Sequence, residues 1–594
     1  MIAFGSYTSP PIYDGMTVQA LYLTMRDGVR LAADLHLPAN LPADHRLPTI
    51  VSATRYWRKQ DLRPGFGWMG AGLEKAMGFF VSRGYAVLLV DVRGTGASFG
   101  TRRHEWDKEE VKDGWDIAAW IAAQPWSNGC VGGYGTSYSG TTAELLSVPN
   151  HPAVKAVLPR FNEFDVYTDI AFPGGLYLRG FVETWGQNNA ELDANRLPLA
   201  RAKGVEKWLA RLGVRGVKPV DRALLKVAVR EHAANNQADF LSNGMECRDD
   251  AEPTTGVKSD DFNVYAYRPQ IEASGAAIYG WGGWFDAGTA DAVIRRFLTF
   301  SNPQVAVVGA WNHGAGQHAS PYDPHGENVP QHWHEALRFF DYTLKGQPTG
   351  IEADIAARTL FYFTIGEEAW KSTTTFPPPG VTAERWYLAA DHGLSRQPPT
   401  AETGADEYTV DFEATTGKTN RWYTQAGGGA VLYSDRAEQD KRLLTYTSAP
   451  LNADTEITGY PVVTLYTAST AEDGAFFVYL EDVAPDGTVY YLTEGMLRAI
   501  HRKISTDPPP YVQRVPYHSF KRKDAQPLVP GQVAEISFGL LPISALIRKN
   551  HRIRIAIAGA DDGLFPRIPA SGTPTITLQR SRVYASYIDL PVLR

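Results

Sequence analysis

The stretch "GGYGTSYSGTT" (132–142) decides how this chain folds. Its lead-in, "CVGGY", is apolar or glycine and reads as the end of a strand, whereas "SGTTAELLSV" carries small and then apolar residues in helical order. The two elements meet at Thr136, Ser137 and Tyr138 with no linker. Such a turn needs small neighbours so that strand and helix can approach closely. Gly135 stands two residues before Ser137, but two residues after it stands Ser139, and the glycine comes one place later, at Gly140. Ser139 is small enough for that position, and its hydroxyl could cap the helix. A serine on this turn is a candidate nucleophile, with the helix N-terminus aiming the Tyr138 N–H at a developing oxyanion. Taken alone, the motif fits a structural Gly/Ser turn equally well.

Working outward, the same alternation of strand and helix continues. "ALYLTMRDGVRLAADLHLP" (20–38) alternates apolar and polar residues around Asp27-Gly28, a hairpin signal. Then come the apolar run "LPTIVSAT" (47–54), the helical pattern "GLEKAMGFFVSRG" (72–84), the run "YAVLLVDVRG" (85–94) and the helix "DGWDIAAWIAAQ" (113–124). This β-α-β-α-β order predicts a parallel sheet covered by helices on both faces. From about 160 to 257 two amphipathic helical stretches, 193–214 and 221–241, follow with no strand between them. The sheet pattern resumes with "GAAIYGW" (275–281), "DAVIRRFLTF" (291–300), "QVAVVGA" (304–310) and "HWHEALRFFDYTLKG" (332–346). Beyond Gln347 short alternating runs separated by Pro, Gly, Asn and Asp predict an antiparallel sandwich or jelly roll. The expected division is an α/β domain at 1–159 and 265–355, interrupted by a helical cap at 160–264 and followed by an all-β jelly-roll domain at 356–594.

Bulk properties agree with a multi-domain globular protein. The 594 residues exceed one hydrophobic core. Lys and Arg number 58 against 65 Asp and Glu, a net charge of −7 with no basic block, so nucleic acid is not expected as a partner. The two cysteines, Cys130 and Cys247, match neither a metal motif nor a disulfide framework. No apolar run spans a membrane and the N-terminus has no signal-peptide pattern, which together suggest a cytoplasmic protein. The 15 Trp, 29 Tyr and 25 Phe suit large sheets or an aromatic pocket.

A serine nucleophile needs a general base, and the base needs a partner to fix its tautomer. In this chain order both should follow the serine, on loops at later strand ends. "GAAIYGW" runs into "GGWFDAG", placing Asp286 just past a strand; "VAVVGAWNHGAG" places His313 just past the next. Asp286 alone also fits a helix N-terminal residue, and His313 a loop residue, but their conjunction with Ser137 in this order points to acyl chemistry. The histidines between 313 and 334 fit no metal-binding spacing, and "DVRGTGASFG" (91–100) lacks the spacing of a phosphate loop, so neither metal nor cofactor is expected. "TRYWRK" places the Tyr56 hydroxyl directly beyond the strand 47–54, where a second oxyanion donor is needed.

These residues resemble the cocaine esterase, α-amino-acid ester hydrolase and X-prolyl dipeptidyl-peptidase family of serine hydrolases. The matching pieces are "GYGTSYSG", "GGWFDAG", "GAWNHGAG", "DVRGTGAS", "RFFDYTLKG", "LTYTSAPL" and "HRIRIAIAGADDGLFPR", spread over nearly the whole chain. The family's glycine stands where Gly140 does. The resemblance implies an α/β-hydrolase domain with a helical cap and a C-terminal jelly roll. It further implies Ser137 as nucleophile, His313 as base and then acid, Asp286 as its orienter, and an oxyanion hole from the Tyr56 hydroxyl and the Tyr138 N–H. A family dimer or tetramer is the expected assembly by analogy alone.

For the substrate, the amino-acid ester hydrolases carry acids shortly after the catalytic Asp, where this chain has Ala287, Gly288 and Thr289. The additional N-terminal helical domain of the dipeptidyl peptidases has no counterpart before Ala20. The expectation is therefore an ester, or an amide, with a bulky acyl group and no α-amino requirement, although Asp165 or Asp169 could supply a lone carboxylate. Trp57, Trp284 and Phe285, adjoining the candidate residues, could line the pocket or simply pack. Aminopeptidase-like or acyltransferase activity at the same site, and a non-catalytic protein that binds glycans or another partner, are the competing readings.

Overall fold

A computed structural model describes residues 4–199, 204–236, 244–253, 255–326, 332–426 and 429–594. Parts of the two expected cap helices, at 200–203 and 237–241, lie outside the described residues. The chain begins with the antiparallel hairpin β1 (Met16–Thr24) and β2 (Arg30–Pro38), turned at Asp27-Gly28. Next come β3 (Leu47–Thr54), the short β4 (Gln60–Leu62), α1 (Ala71–Val81) and β5 (Ala86–Asp91). They are followed by α2 (Lys108–Ala122), β6 (Ser127–Thr136), α3 (Tyr138–Leu145) and β7 (Val154–Arg160). The cap contributes α4 (Arg179–Asp193), α5 (Gly204–Gly213), β8 (Val214–Val217) and α6 (Arg222–Glu231). After α7 (Arg268–Ser274) come β9 (Ala277–Gly283), α8 (Thr289–Thr299), β10 (Gln304–Gly309), α9 (His332–Lys345), α10 (Ile351–Ala357), β11 (Leu360–Thr364) and β12 (Ala369–Thr373).

The first sheet runs β1-β2-β5-β3-β6-β7-β9-β10-β11-β12, parallel from β5 to β11. Its inner strands β5 (AVLLVD) and β10 (QVAVVG) are buried along their whole length because both faces are covered. In β5, Val87 and Leu89 join the core beneath α1 and α9, while Leu88 and Val90 join the opposite core with Ile117 of α2 and Leu145 of α3. β10 divides its residues in the same way, with Val305 and Val307 on one side and Ala306 and Val308 on the other. Alternate residues of one strand thus serve two helix layers, as the pleat requires.

Two expectations need correction. The expected domain limit at 355/356 cuts the sheet short, since β11 hydrogen-bonds to β10 and β12 to β11, carrying the sheet to Thr373. The cap does contain a strand: β8 pairs with β4 as a separate two-stranded ribbon, too short at four residues to show a period in the sequence. The C-terminal domain is all-β: among the described residues, thirteen strands from Val381–Leu388 to Tyr587–Leu593 are hydrogen-bonded almost entirely antiparallel. Its junction with the first sheet is a continuous core: one apolar cluster includes Val293 and Phe297 of α8 together with Trp422, Tyr491 and Ile555.

The cap is pinned from below by a buried ion network. Arg55 and Arg102 both bond Glu105, and both also bond Asp193 at the end of α4, at 3.1 and 2.7 Å. Charges this deep are tolerable only when mutually paired.

Candidate active site

Ser137 occupies the turn between β6 and α3 with φ 61° and ψ −131°, a backbone conformation that side-chain-bearing residues seldom adopt. Close packing holds it there. A Cβ on Gly135 would lie 2.0 Å from the Ser139 carbonyl oxygen, and one on Gly140 would lie 2.7 Å from the Arg160 carbonyl oxygen. The glycine at 140 is thus required by the passage of β7 behind the helix, and the displaced motif follows from the crossing. Ser139 lies within the first turn of α3, and the N-cap is Ser137, without a side-chain cap bond, so the expected capping by Ser139 does not occur.

The Ser137 N–H donates to the Arg160 carbonyl at 2.9 Å. The Arg160 guanidinium in turn donates to the Gly314 carbonyl at 3.2 Å and to Tyr134 at 2.8 Å, so the end of β7 ties the serine turn to the loop bearing His313. His313 Nδ1 lies 3.0 Å from both carboxylate oxygens of Asp286. Asp286 is almost completely buried and also accepts from Thr289 Oγ1 at 3.0 Å. Burial alone would lower the basicity of the imidazole, but the Asp286 charge and hydrogen bond outweigh it and leave the His313 pKa raised.

Ser137, Tyr138 and Tyr56 line one narrow cavity with about 30 Å³ of space open to the centre of a water molecule. Tyr138 begins α3, and its hydroxyl donates to Glu110 at 2.8 Å. Tyr56 sits edge-on to Tyr138, ring centroids 6.0 Å apart, and its oxygen accepts from Trp185 Nε1 at 2.7 Å, leaving the phenolic proton to donate elsewhere. Tyr56 keeps 36 % of its surface accessible while lining the cavity, and desolvation of its hydroxyl pushes the pKa up to about 12. It is a donor throughout the neutral range.

Three expected pocket residues lie elsewhere. Trp57 donates from Nε1 to the Leu192 carbonyl at 3.2 Å and packs with Val214 and Val217 beneath the cap. Trp284 bonds the Phe363 carbonyl at 2.7 Å, and Phe285 packs against Tyr433 and Tyr491 of the C-terminal domain. Adjacency in sequence misleads here because successive residues leaving a strand point to different sides. The cavity is instead walled by Trp106, Phe181, Val182 and Trp185, and α4 supplies the last three. Asp165 and Asp169 are committed to Arg248 and Arg295 in the interior.

One acid escaped the sequence reading. Glu163 lines the same cavity as Ser137, almost fully buried, and desolvation pushes its carboxyl up to about 7. Its signal was its position three residues past the end of β7, on the same carboxyl edge as the other candidates.

Among the described residues, two groups bring three metal-ligand side chains together: Cys247, Asp249 and Asp250, and His318, Asp323 and Glu368. In the second, His318 Nε2 is already bonded to Glu368 at 3.1 Å. Among the described residues no helix is long and apolar enough to cross a membrane.

Against known proteins, residues 27–315 match the X-Pro dipeptidyl-peptidase (S15 family) model, and residues 342–589 match the X-Pro dipeptidyl-peptidase C-terminal non-catalytic domain. A protein of Mycobacterium bovis named as a serine esterase is 47 % identical, covering 98 % of this chain and 96 % of its own. The cocaine esterase of a Rhodococcus species is 24 % identical, over 96 % of this chain and 97 % of its own. The crystal structure of an aminopeptidase from a marine sediment thaumarchaeon shares the fold, with TM-score 0.73 at 19 % identity, covering 99 % of this chain and 98 % of that one.

Proposed function

The chain belongs to the X-Pro dipeptidyl-peptidase (S15) family of serine esterases and peptidases, and on that premise we propose that it hydrolyses a carboxylic ester by two-step acyl transfer through Ser137. Ser137 Oγ attacks the ester carbonyl while His313 takes its proton; His313 then returns that proton to the departing alkoxide. Water, deprotonated by the same imidazole, attacks the acyl-enzyme, releases the acid and restores Ser137. Asp286 holds the Nδ1 proton of His313, so that Nε2 is the basic nitrogen. The Tyr138 N–H and the Tyr56 hydroxyl stabilise the oxyanion in both steps. The observation that carries this reading is the 3.0 Å Asp286–His313 pair on the loop tied through Arg160 to the Ser137 turn.

The test is covalent labelling by a fluorophosphonate, expected at one site and lost in Ser137→Ala. A wild-type enzyme that hydrolyses esters without labelling would point to a different nucleophile. Tyr56→Phe should retain labelling but lose roughly 10²–10³-fold in kcat, the usual cost of one oxyanion donor. Normal turnover in that variant would remove Tyr56 from the site.

The cavity wall of Trp106, Phe181 and Trp185 suits an apolar or aromatic acyl group. The cavity is narrow, so a bulky acyl group would need wall side chains such as Trp106, Phe181 and Trp185 to move apart. One observation favours a second reading of the substrate: Glu163, a buried carboxyl on the same cavity as Ser137, would hold a protonated amine on an ester or amide. Its charge develops as pH rises through about 7, so preference for amino esters over neutral ones should rise across that pH. Glu163→Gln should lower kcat/KM for an amino ester about 10-fold or more at pH 8, on the scale of one charge-assisted hydrogen bond. Equal loss for neutral esters would rule out an ammonium role.

A further inference from the structure

The loops carrying Asp286 and His313 are gripped by residues outside their own domain. Ala287, directly after Asp286, donates its N–H to the Arg421 carbonyl at 3.1 Å and accepts from Arg421 Nε at 3.0 Å. Ala287 has φ 37°, a value that an L-residue keeps only where its surroundings impose it. On the other loop Asn312, directly before His313, donates from Nδ2 to the Gly429 carbonyl at 3.2 Å. Gln317 exchanges two bonds with Val431, Nε2 to the carbonyl at 3.0 Å and Val431 N–H to Oε1 at 2.8 Å. Arg421, Gly429 and Val431 all belong to one excursion of the C-terminal chain.

That excursion is braced from behind. Asn420 Oδ1 accepts from the Trp422 and Tyr423 N–H groups at 2.9 and 2.8 Å, and the Trp422 indole donates to Glu494. The Tyr433 oxygen accepts the Arg421 N–H at 3.0 Å, and its ring stacks on Tyr491 with centroids 3.8 Å apart. Arg421 itself is completely buried. Simple domain adhesion does not require a buried arginine, whose desolvation is costly; holding the backbone beside the acid does.

We propose that the C-terminal domain is part of the acyl-transfer machinery: through Arg421, Gly429 and Val431 it positions Asp286 and His313, and Arg421 is a positioning residue. The inference rests on the Ser137–His313–Asp286 reading given above. Its physical content is that acid and base sit on separate loops, whose relative placement decides the proton transfer, and displacements on the order of 1 Å can cost about 10²-fold in rate.

The test uses the full-length protein, with active sites counted by fluorophosphonate labelling so that misfolded molecules drop out. Arg421→Ala should lower kcat per labelled site roughly 10²-fold with KM little changed, in keeping with lost positioning. The acid limb of its kcat/KM profile should move to lower pH, because a loosened Asp286 raises the His313 pKa less. Arg421→Lys, which can still donate to the Ala287 carbonyl, should recover part of the loss. Gln317→Ala removes both side-chain bonds to Val431 without touching the buried charge and should lower kcat about 10-fold, a fraction of that positioning cost. If Arg421→Ala fails to fold, Gln317→Ala decides. Labelled variants with wild-type kcat and pH profile would overturn the positioning role while leaving the acyl-enzyme intact. A wild-type protein that does not label would instead overturn the acyl-enzyme, and the positioning role with it.

Discussion

Ser137→Ala is expected to fold normally and to lose about 10⁵–10⁶-fold in ester kcat, the scale seen when an activated serine is removed from a triad. The fold should survive because the turn is imposed by its neighbours. The close contacts that demand glycine at 135 and 140 do not involve the Ser137 hydroxyl, and the bond from residue 137 to the Arg160 carbonyl uses the main chain. Alanine and serine suffer equally at φ 61°. Thermal unfolding should therefore change little while turnover collapses. A variant that keeps even a tenth of the activity would mean that the oxyanion donors and Ser137 serve some other nucleophile.

Asp286→Asn is expected to lower kcat about 10⁴-fold without disrupting the site. His313 Nδ1 lies 3.0 Å from the Asp286 carboxylate, and on the proposed mechanism this leaves Nε2 to receive the Ser137 proton. An amide can donate to Nδ1 and so favours the tautomer with its proton on Nε2, which cannot act as a base toward the serine. The pH dependence gives a second readout. The proposed base His313 would act only when neutral, and although burial lowers its pKa the Asp286 charge and hydrogen bond leave it raised above the ordinary imidazole value. Activity should thus fall as pH drops through that raised pKa. With the carboxylate charge removed, the acid limb of the residual activity should move to lower pH. A limb that stays in place would mean that another group sets it.

The parts of the site that were legible in the sequence share one property: each is defined by its place relative to the nearest strand. Ser137, Asp286 and His313 all follow the end of an apolar run, and the order of runs in a parallel sheet brings those ends to one edge. Tyr56 follows β3 in the same way. Glu163 obeyed the rule too, but a carboxylate after a strand is unremarkable until a cavity is seen beside it. Trp57, Trp284 and Phe285 show the limit of the rule, because proximity along the chain says nothing about which side of a turn a ring occupies. Trp57 turned into the packing beneath the cap, Trp284 onto β11 of its own sheet, and Phe285 against the C-terminal domain.

The sequence by itself determined the α/β sheet, its two helical layers, the all-β C-terminal domain and the strand-end positions of Ser137, Asp286 and His313. These follow from periodicity and chain order, which are local properties that burial of alternate residues writes directly into the chain. Only the tertiary structure decided what surrounds those groups: the wall from α4, the Glu163 carboxyl on the cavity, and the grip of Arg421 on Ala287 across 134 residues. Such contacts join segments whose separate patterns carry no trace of one another. The Arg421 bonds go to main-chain atoms, which every residue type presents alike, so the identity of Ala287 could not have announced its partner.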